Sequence, residues 1–143
     1  MGIFREGVTL DTLNNLSRKT MAERIGIEFT AIGPDYMEAK MPVDERTHQP
    51  FGMLHGGASV ALAETMGSVA ATCCVDTAKQ FCVGLDINAN HVRSVRRGFV
   101  KGITKPVHIG KTTQVWEIRI LNEQEELVCI SRITMAVLEK KES

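Results

Sequence analysis

From Gly56 to Ala71 the chain is apolar or small around nearly the whole circumference of the helix it would form, and Glu64 is the one charged side chain in that run. A helix of this kind is expected to be buried rather than laid on a surface. The rest of the chain must therefore supply something that encloses it, and Glu64 is expected inside. An ionised carboxylate in the interior costs several kcal/mol unless partners or water compensate, which makes Glu64 a candidate for chemistry. His55 stands nine residues ahead of it.

The flanking segments read as strands. Ile25 to Ile32 alternates, Gly33-Pro34-Asp35 punctuates, and Tyr36 to Met41 continues with Met37, Ala39 and Met41 on one side, which predicts a hairpin. Val43 to Leu54 reads as a loop, and the helix is expected from about Gly56 to Val75. In Phe81 to His91, Leu85, Ile87 and Ala89 fall on one face and Asp86, Asn88 and Asn90 on the other. A further strand is expected over Gly98 to Thr104. Gln114, Trp116, Ile118 and Ile120 share a face within Thr112 to Leu121, Asn122 to Glu125 turns, and Leu127 to Leu138 returns with Cys129, Ile133, Met135 and Val137 inward. Consecutive hairpins make an antiparallel sheet. Ahead of all this, Thr9 to Met21 carries Leu10, Leu13 and Leu16 at helical spacing, with Thr9 as N-cap and Asp11 in the first turn.

The expected architecture is α+β: one domain over residues 1–143, with an antiparallel sheet wrapped around a long central helix and a short helix at the N-terminus. Such a wrap leaves strand edges open, and pairing them between two copies removes that liability, so a homodimer is expected. Lysine plus arginine (17) balances aspartate plus glutamate (17), which gives no support to a nucleic-acid partner. No segment approaches the ~20 apolar residues of a membrane span, and Met1 to Glu6 lacks the apolar core of a signal peptide. A soluble, cytoplasmic protein is expected. Cys73, Cys74, Cys82 and Cys129 lie in apolar stretches without CxxC spacing, which predicts reduced, buried thiols and neither a disulfide framework nor a metal site. His48 and His108 are expected to be exposed, without metal-ligand spacing to other histidines or acids.

The approach to the helix, Thr47-His48-Gln49-Pro50-Phe51-Gly52-Met53-Leu54-His55-Gly56-Gly57, ends in two glycines that let a ligand come near first-turn amides lacking intrahelical acceptors. The amide of Gly56 or Gly57, at the positive end of the helix dipole, is a candidate donor to a carbonyl that becomes an oxyanion. A plain glycine-rich helix start is the alternative. Gly56 and Glu64 are eight residues apart, roughly 12 Å at ~1.5 Å per residue, so one carbonyl cannot touch both from one chain. If they act together, the site crosses a subunit interface.

These residues carry a resemblance. Gln49 to Ser59 followed by Ala63-Glu64, then Gly84-Leu85-Asp86-Ile87-Asn88-Ala89-Asn90-His91, then Lys105-Pro106, resemble the hotdog-fold acyl-CoA thioesterases of the phenylacetate and hydroxybenzoyl-CoA type over nearly the whole chain. The last two blocks look most like bacterial esterases acting on 1,4-dihydroxy-2-naphthoyl-CoA in menaquinone synthesis and the relatives that proofread aryl-carrier proteins in enterobactin synthesis. The resemblance implies Glu64 as nucleophile or general base, the Gly56 amide as carbonyl-polarising donor, Gln49 and His55 beside the thioester, and Ser68 near the acyl group or water. It further implies coenzyme A contacts from Gly84, from His91-Val92-Arg93-Ser94 and from His108-Ile109-Gly110-Lys111-Thr112-Thr113. It implies no cofactor and no metal, an acyl-CoA or aryl-carrier substrate, and commonly a tetramer.

The residues alone leave alternatives. His55 and His91 each have a purely structural reading, as a loop closure and a rim residue. Arg93, Arg96, Arg97, Lys101 and Lys105 form either a phosphate-neutralising patch or a solvated basic face. As a whole, the chain could instead be a hydroxyacyl-thioester hydratase or dehydratase, or a non-catalytic acyl-CoA-binding module.

Overall fold

A computed structural model describes residues 2–141. Six antiparallel strands form one sheet in the order β1-β2-β4-β5-β6-β3: β1 is Glu28–Ile32, β2 Met37–Pro42, β3 Gln80–His91, β4 Phe99–Ile109, β5 Thr113–Leu121 and β6 Leu127–Glu139. Helix α3, Gly56–Thr72, lies across the concave side and meets β2, β3, β4, β5 and β6. Its buried face is Ser59, Leu62, Ala63, Met66, Gly67, Ala70 and Ala71. The approach is tight: a Cβ on Gly67 would lie 2.4 Å from Cγ2 of Ile133. Trp116, Ile118, Ile120, Ile133 and Met135 complete the core from the sheet side, and the buried Gln114 is satisfied because its Oε1 accepts from Trp116 Nε1 at 2.8 Å.

The helix is apolar all round but is not enclosed all round. Its stripe Gly57, Ala61, Glu64 and Ser68 is partly or fully solvent-facing, so Glu64 is half-buried rather than interior. One sheet can cover only one side of a helix, and the opposite side meets no sheet in the single chain.

Other departures have local causes. The N-terminal segment divides into α1, Leu10–Leu16, and α2, Met21–Arg24. Thr9 caps α1 with a reciprocal box to Thr12, and Lys19 at φ 63° ends the first helical run before Met21. Only Leu13 of the three leucines is buried; Leu10 and Leu16 are exposed. In β3 a bulge between Gly84 and Asp86 slips the alternation. Cys82, Ile87 and Ala89 pack on the core while Leu85 turns outward, against the expectation that Leu85 shares their face. β4 runs on to Ile109 rather than ending at Thr104. Its Pro106 is accommodated because β2 pairs only as far as Thr104 and a bulge follows between Pro106 and His108.

β3 pairs on one side only, with β6, and so presents a twelve-residue edge. Among the described residues no helix is long and apolar enough to cross a membrane.

Candidate active site

The loop before α3 is closed by its own side chains. Gln49 Oε1 accepts from the amides of Phe51 and Met53, which leaves the Gln49 amide nitrogen free to donate outward. His55 is the N-cap of α3, and its Nδ1 accepts from the Gly57 amide at 2.7 Å. The proton of a neutral His55 ring therefore sits on Nε2. The amides of Ala58 and Ser59 both donate to the His55 carbonyl, at 3.0 and 3.2 Å. Of the two glycine amides open to choice from the sequence, Gly57 is thus occupied, and the Gly56 amide has no acceptor among the described residues.

A cavity of about 370 Å³ opens at this end, lined by Gln49, Met53, Leu54, Gly56, Ser59, His91, Val92, Arg93, Ser94 and Val128. The His91 ring lies against the helix start; a Cβ on Gly56 would come within 3.0 Å of its Nε2. The folded chain therefore brings together Gln49, Gly56 and the whole His91 to Ser94 segment, whereas His55 is not in the lining and serves as the cap of the helix start.

Glu64 and Ser68 are elsewhere. They line a separate hollow of about 340 Å³ with Thr65 and Val69 of α3 and with Leu16, Ser17, Thr20, Met21 and Ala22. The Glu64 carboxylate makes no ion pair or hydrogen bond among the described residues. It lies against Gly84, where a Cβ would be 2.8 Å from Oε2. The Ser68 hydroxyl donates to Met135 Sδ at 3.8 Å.

His108 to Thr113 covers the end of β4, the turn and the start of β5, with His108, Ile109, Lys111, Thr112 and Thr113 exposed and the Gly110 amide donating to the Thr113 carbonyl. Ile109 pairs with Gln114, Gln114 with Met135 and Met135 with Gly84, which puts this turn at the Gly84 end of the sheet. His91 is seven residues further along β3, roughly 20 Å away at ~3.3 Å per residue. In a single chain the expected coenzyme contacts thus stand at opposite ends.

The run of basic residues does not form one patch. Arg93 pairs with Glu126 at 3.4 Å and Lys101 with Glu125 at 3.1 Å, Lys105 sits 6.0 Å over the Tyr36 ring, and Arg96 and Arg97 line another hollow. His48 is half-buried rather than exposed, its Nε2 bonded to the Arg96 carbonyl at 2.8 Å. Cys73 and Cys129 are buried, and Cys74 and Cys82 partly so. Desolvation pushes the Cys73 thiol up to about 11 and Cys74 to about 12, so neither supplies a thiolate near neutral pH. Among the described residues no three of His, Cys, Asp and Glu gather to hold a metal ion.

Residues 51–129 match the family model described as Thioesterase superfamily. The chain belongs to the thioesterase superfamily. It is 52% identical over 136 residues to the 1,4-dihydroxy-2-naphthoyl-CoA hydrolase of Escherichia coli, covering 95% of this chain and 99% of that protein. It is 49% identical over 136 residues to the proofreading thioesterase EntH of Cronobacter turicensis, covering 95% and 98%. A crystal structure of a mutant of the thioesterase PA1618 from Pseudomonas aeruginosa superposes with a TM-score of 0.95 at 45% identity, covering 97% of this chain and all of that one. The sheet and its central helix are the hotdog fold of this superfamily, and the chain is a thioesterase.

Ser59, Leu16 and Met21 line the hollows of this thioesterase but were not legible in its sequence as site residues. Ser59 is one turn past Gly56 on the same face, so helical spacing alone carried the signal. Leu16 and Met21 reach Glu64 from distant sequence, and only the tertiary fold makes them its neighbours.

The Gly84 contact predicts a specific effect. Gly84→Ala is expected to push the Glu64 carboxylate aside and, where that carboxylate does the chemistry, to lower kcat by about 10-fold to 100-fold. Steady-state kinetics check this. An unchanged kcat would show that the carboxylate does not depend on that space.

Proposed function

We propose that this thioesterase hydrolyses aromatic acyl-CoA thioesters to the free acid and coenzyme A, in active sites shared between two copies of the chain. The observation that carries the proposal is the separation of the two half-sites. Gly56, whose amide has no acceptor among the described residues, lines the cavity with Gln49 and His91, whereas Glu64, whose carboxylate has no partner among them, lies in another hollow of the same helix. Each half lacks what the other holds.

In the shared site the Gly56 amide binds the thioester carbonyl oxygen and Gln49 and His55 border it. Glu64 of the other copy acts as nucleophile, or as general base on water, with Ser68 beside it. The carbon–sulfur bond breaks, the electron pair leaves on the coenzyme sulfur, and the acyl carbon gains an oxygen that ends as carboxylate. His91 to Ser94 of one copy and the His108 to Thr113 segment with Gly84 of the other then serve one coenzyme. The open β3 edge supports the dimer, and the exposed Phe81, Val83 and Leu138 on neighbouring strands support a further pairing to a tetramer.

The aromatic acyl group is supported by the exposed Leu16 and Met21, which together with Ala22 and Val69 give the Glu64 hollow an apolar wall. It is also supported by the likeness to a dihydroxynaphthoyl-CoA hydrolase and to EntH, which together point to menaquinone synthesis or to aryl-carrier proofreading as the setting. A hydratase is less well supported, because His55 Nδ1 accepts from the Gly57 amide as the helix cap and is not available as a base.

Thiol release from dihydroxynaphthoyl-CoA, benzoyl-CoA, hydroxybenzoyl-CoA, a medium-chain acyl-CoA and an aryl-carrier thioester tests the proposal. The aryl thioesters are expected to be turned over with the higher kcat/KM. A preference for the medium-chain substrate would overturn the aromatic assignment.

A further inference from the structure

Ser59 is 1% exposed, yet it lines the cavity that holds Gly56, Gln49 and His91. Its hydroxyl has no hydrogen-bond partner among the described residues, and no fully buried side-chain oxygen or nitrogen there lacks one. The Ser59 oxygen therefore opens onto the cavity. A serine within a helix ordinarily satisfies itself on the carbonyl four residues back. Thr72 does so, donating to the Ser68 carbonyl at 2.8 Å. For Ser59 that carbonyl belongs to His55 and already accepts two amides.

Helical side chains lean toward the N-terminus, and positions three apart share a face. Ser59 thus points back toward the Gly56 amide, the other donor left without an acceptor. Two unsatisfied donors converging on one cavity suit a single oxygen that gains negative charge during reaction. We propose that the Ser59 hydroxyl is a catalytic residue that donates a second hydrogen bond to the thioester carbonyl oxygen held by the Gly56 amide. This rests on the hydrolytic reading above and adds to it a side-chain donor that strengthens its bond as the tetrahedral intermediate forms.

The test is Ser59→Ala, read three ways: by melting temperature, by kcat and KM on benzoyl-CoA, and by the infrared carbonyl stretch of a bound ketone analogue. In that analogue of benzoyl-CoA a methylene separates the carbonyl from sulfur, so it cannot be hydrolysed. Because the hydroxyl has no partner among the described residues, the melting temperature is expected to hold. The kcat is expected to fall about 100-fold with KM nearly unchanged, and the ketone stretch to rise toward its value in water. A wild-type kcat, or a fall in kcat with an unmoved carbonyl stretch, overturns the inference. If the wild type hydrolyses no thioester the hydrolytic reading fails, and the ketone stretch still decides whether Ser59 holds the oxygen. An analogue that does not bind the wild type, in an enzyme that turns over benzoyl-CoA, leaves the hydrolytic reading standing and overturns the carbonyl contact inferred for Ser59. Ser59→Cys, close in size and weaker as a donor, carries the same readouts if the alanine variant does not fold.

Discussion

Replacing Glu64 by alanine is expected to lower the rate of thioester hydrolysis by at least about 1000-fold. Fold and melting temperature should hardly move. Glu64 makes no ion pair or hydrogen bond among the described residues and is half-buried, so its removal breaks no internal network and falls among the mild substitutions, within about 1 kcal/mol. The contrast between a large kinetic loss and a small thermodynamic one separates a chemical role from a structural one. Thiol release and thermal melting on the same preparation measure both. Retained turnover would remove Glu64 from the mechanism, and an unfolded variant would mean that the helix depends on it.

The second large effect belongs to a backbone group, which side-chain replacement ordinarily cannot reach. Gly56 is the first residue of α3, the one helical position where proline is well tolerated. The preceding His55 has φ −68° and ψ 132°, the extended conformation that a following proline requires. Gly56→Pro should therefore keep the helix and delete only the amide hydrogen. Because a Cβ there crowds His91 Nε2 at 3.0 Å, Gly56→Ala is the control that adds the same crowding and keeps the donor. The proline variant is expected to be about 100-fold to 1000-fold slower than the alanine variant. Equal rates in the two would mean that the amide polarises nothing. Mixing the Glu64→Ala and Gly56→Pro chains adds a test of site sharing. A heterodimer then carries one intact site, and a statistical mixture should recover about a quarter of the wild-type rate. No recovery from exchanged dimers would place each site within one chain.

Much of the sheet was legible because alternation is a local property. Gln114, Trp116, Ile118 and Ile120 are all buried, as their spacing requires. The period-two reading failed where a bulge intervened, at Leu85, because an extra residue reverses the facing of the residues beyond it and leaves no mark in composition. It also ended β4 too early, at Thr104, where pairing with β2 stops while the strand itself continues through Pro106 to Ile109.

The sequence by itself determined the apolar helix, the glycines at its start, the carboxylate eight residues on, and a match of motif blocks specific enough to imply the superfamily. Those are properties of neighbours along the chain, set by side-chain chemistry and the 3.6-residue repeat. Tertiary structure alone decided that the Gly57 amide is consumed by His55 while the Gly56 amide has no acceptor among the described residues, that Ser59 lines the same cavity, and that Leu16 and Met21 wall the hollow around Glu64. It also decided that Glu64 is half-covered instead of enclosed. Hydrogen-bond competition and burial depend on what the rest of the chain brings within a few ångströms, and no local pattern encodes that.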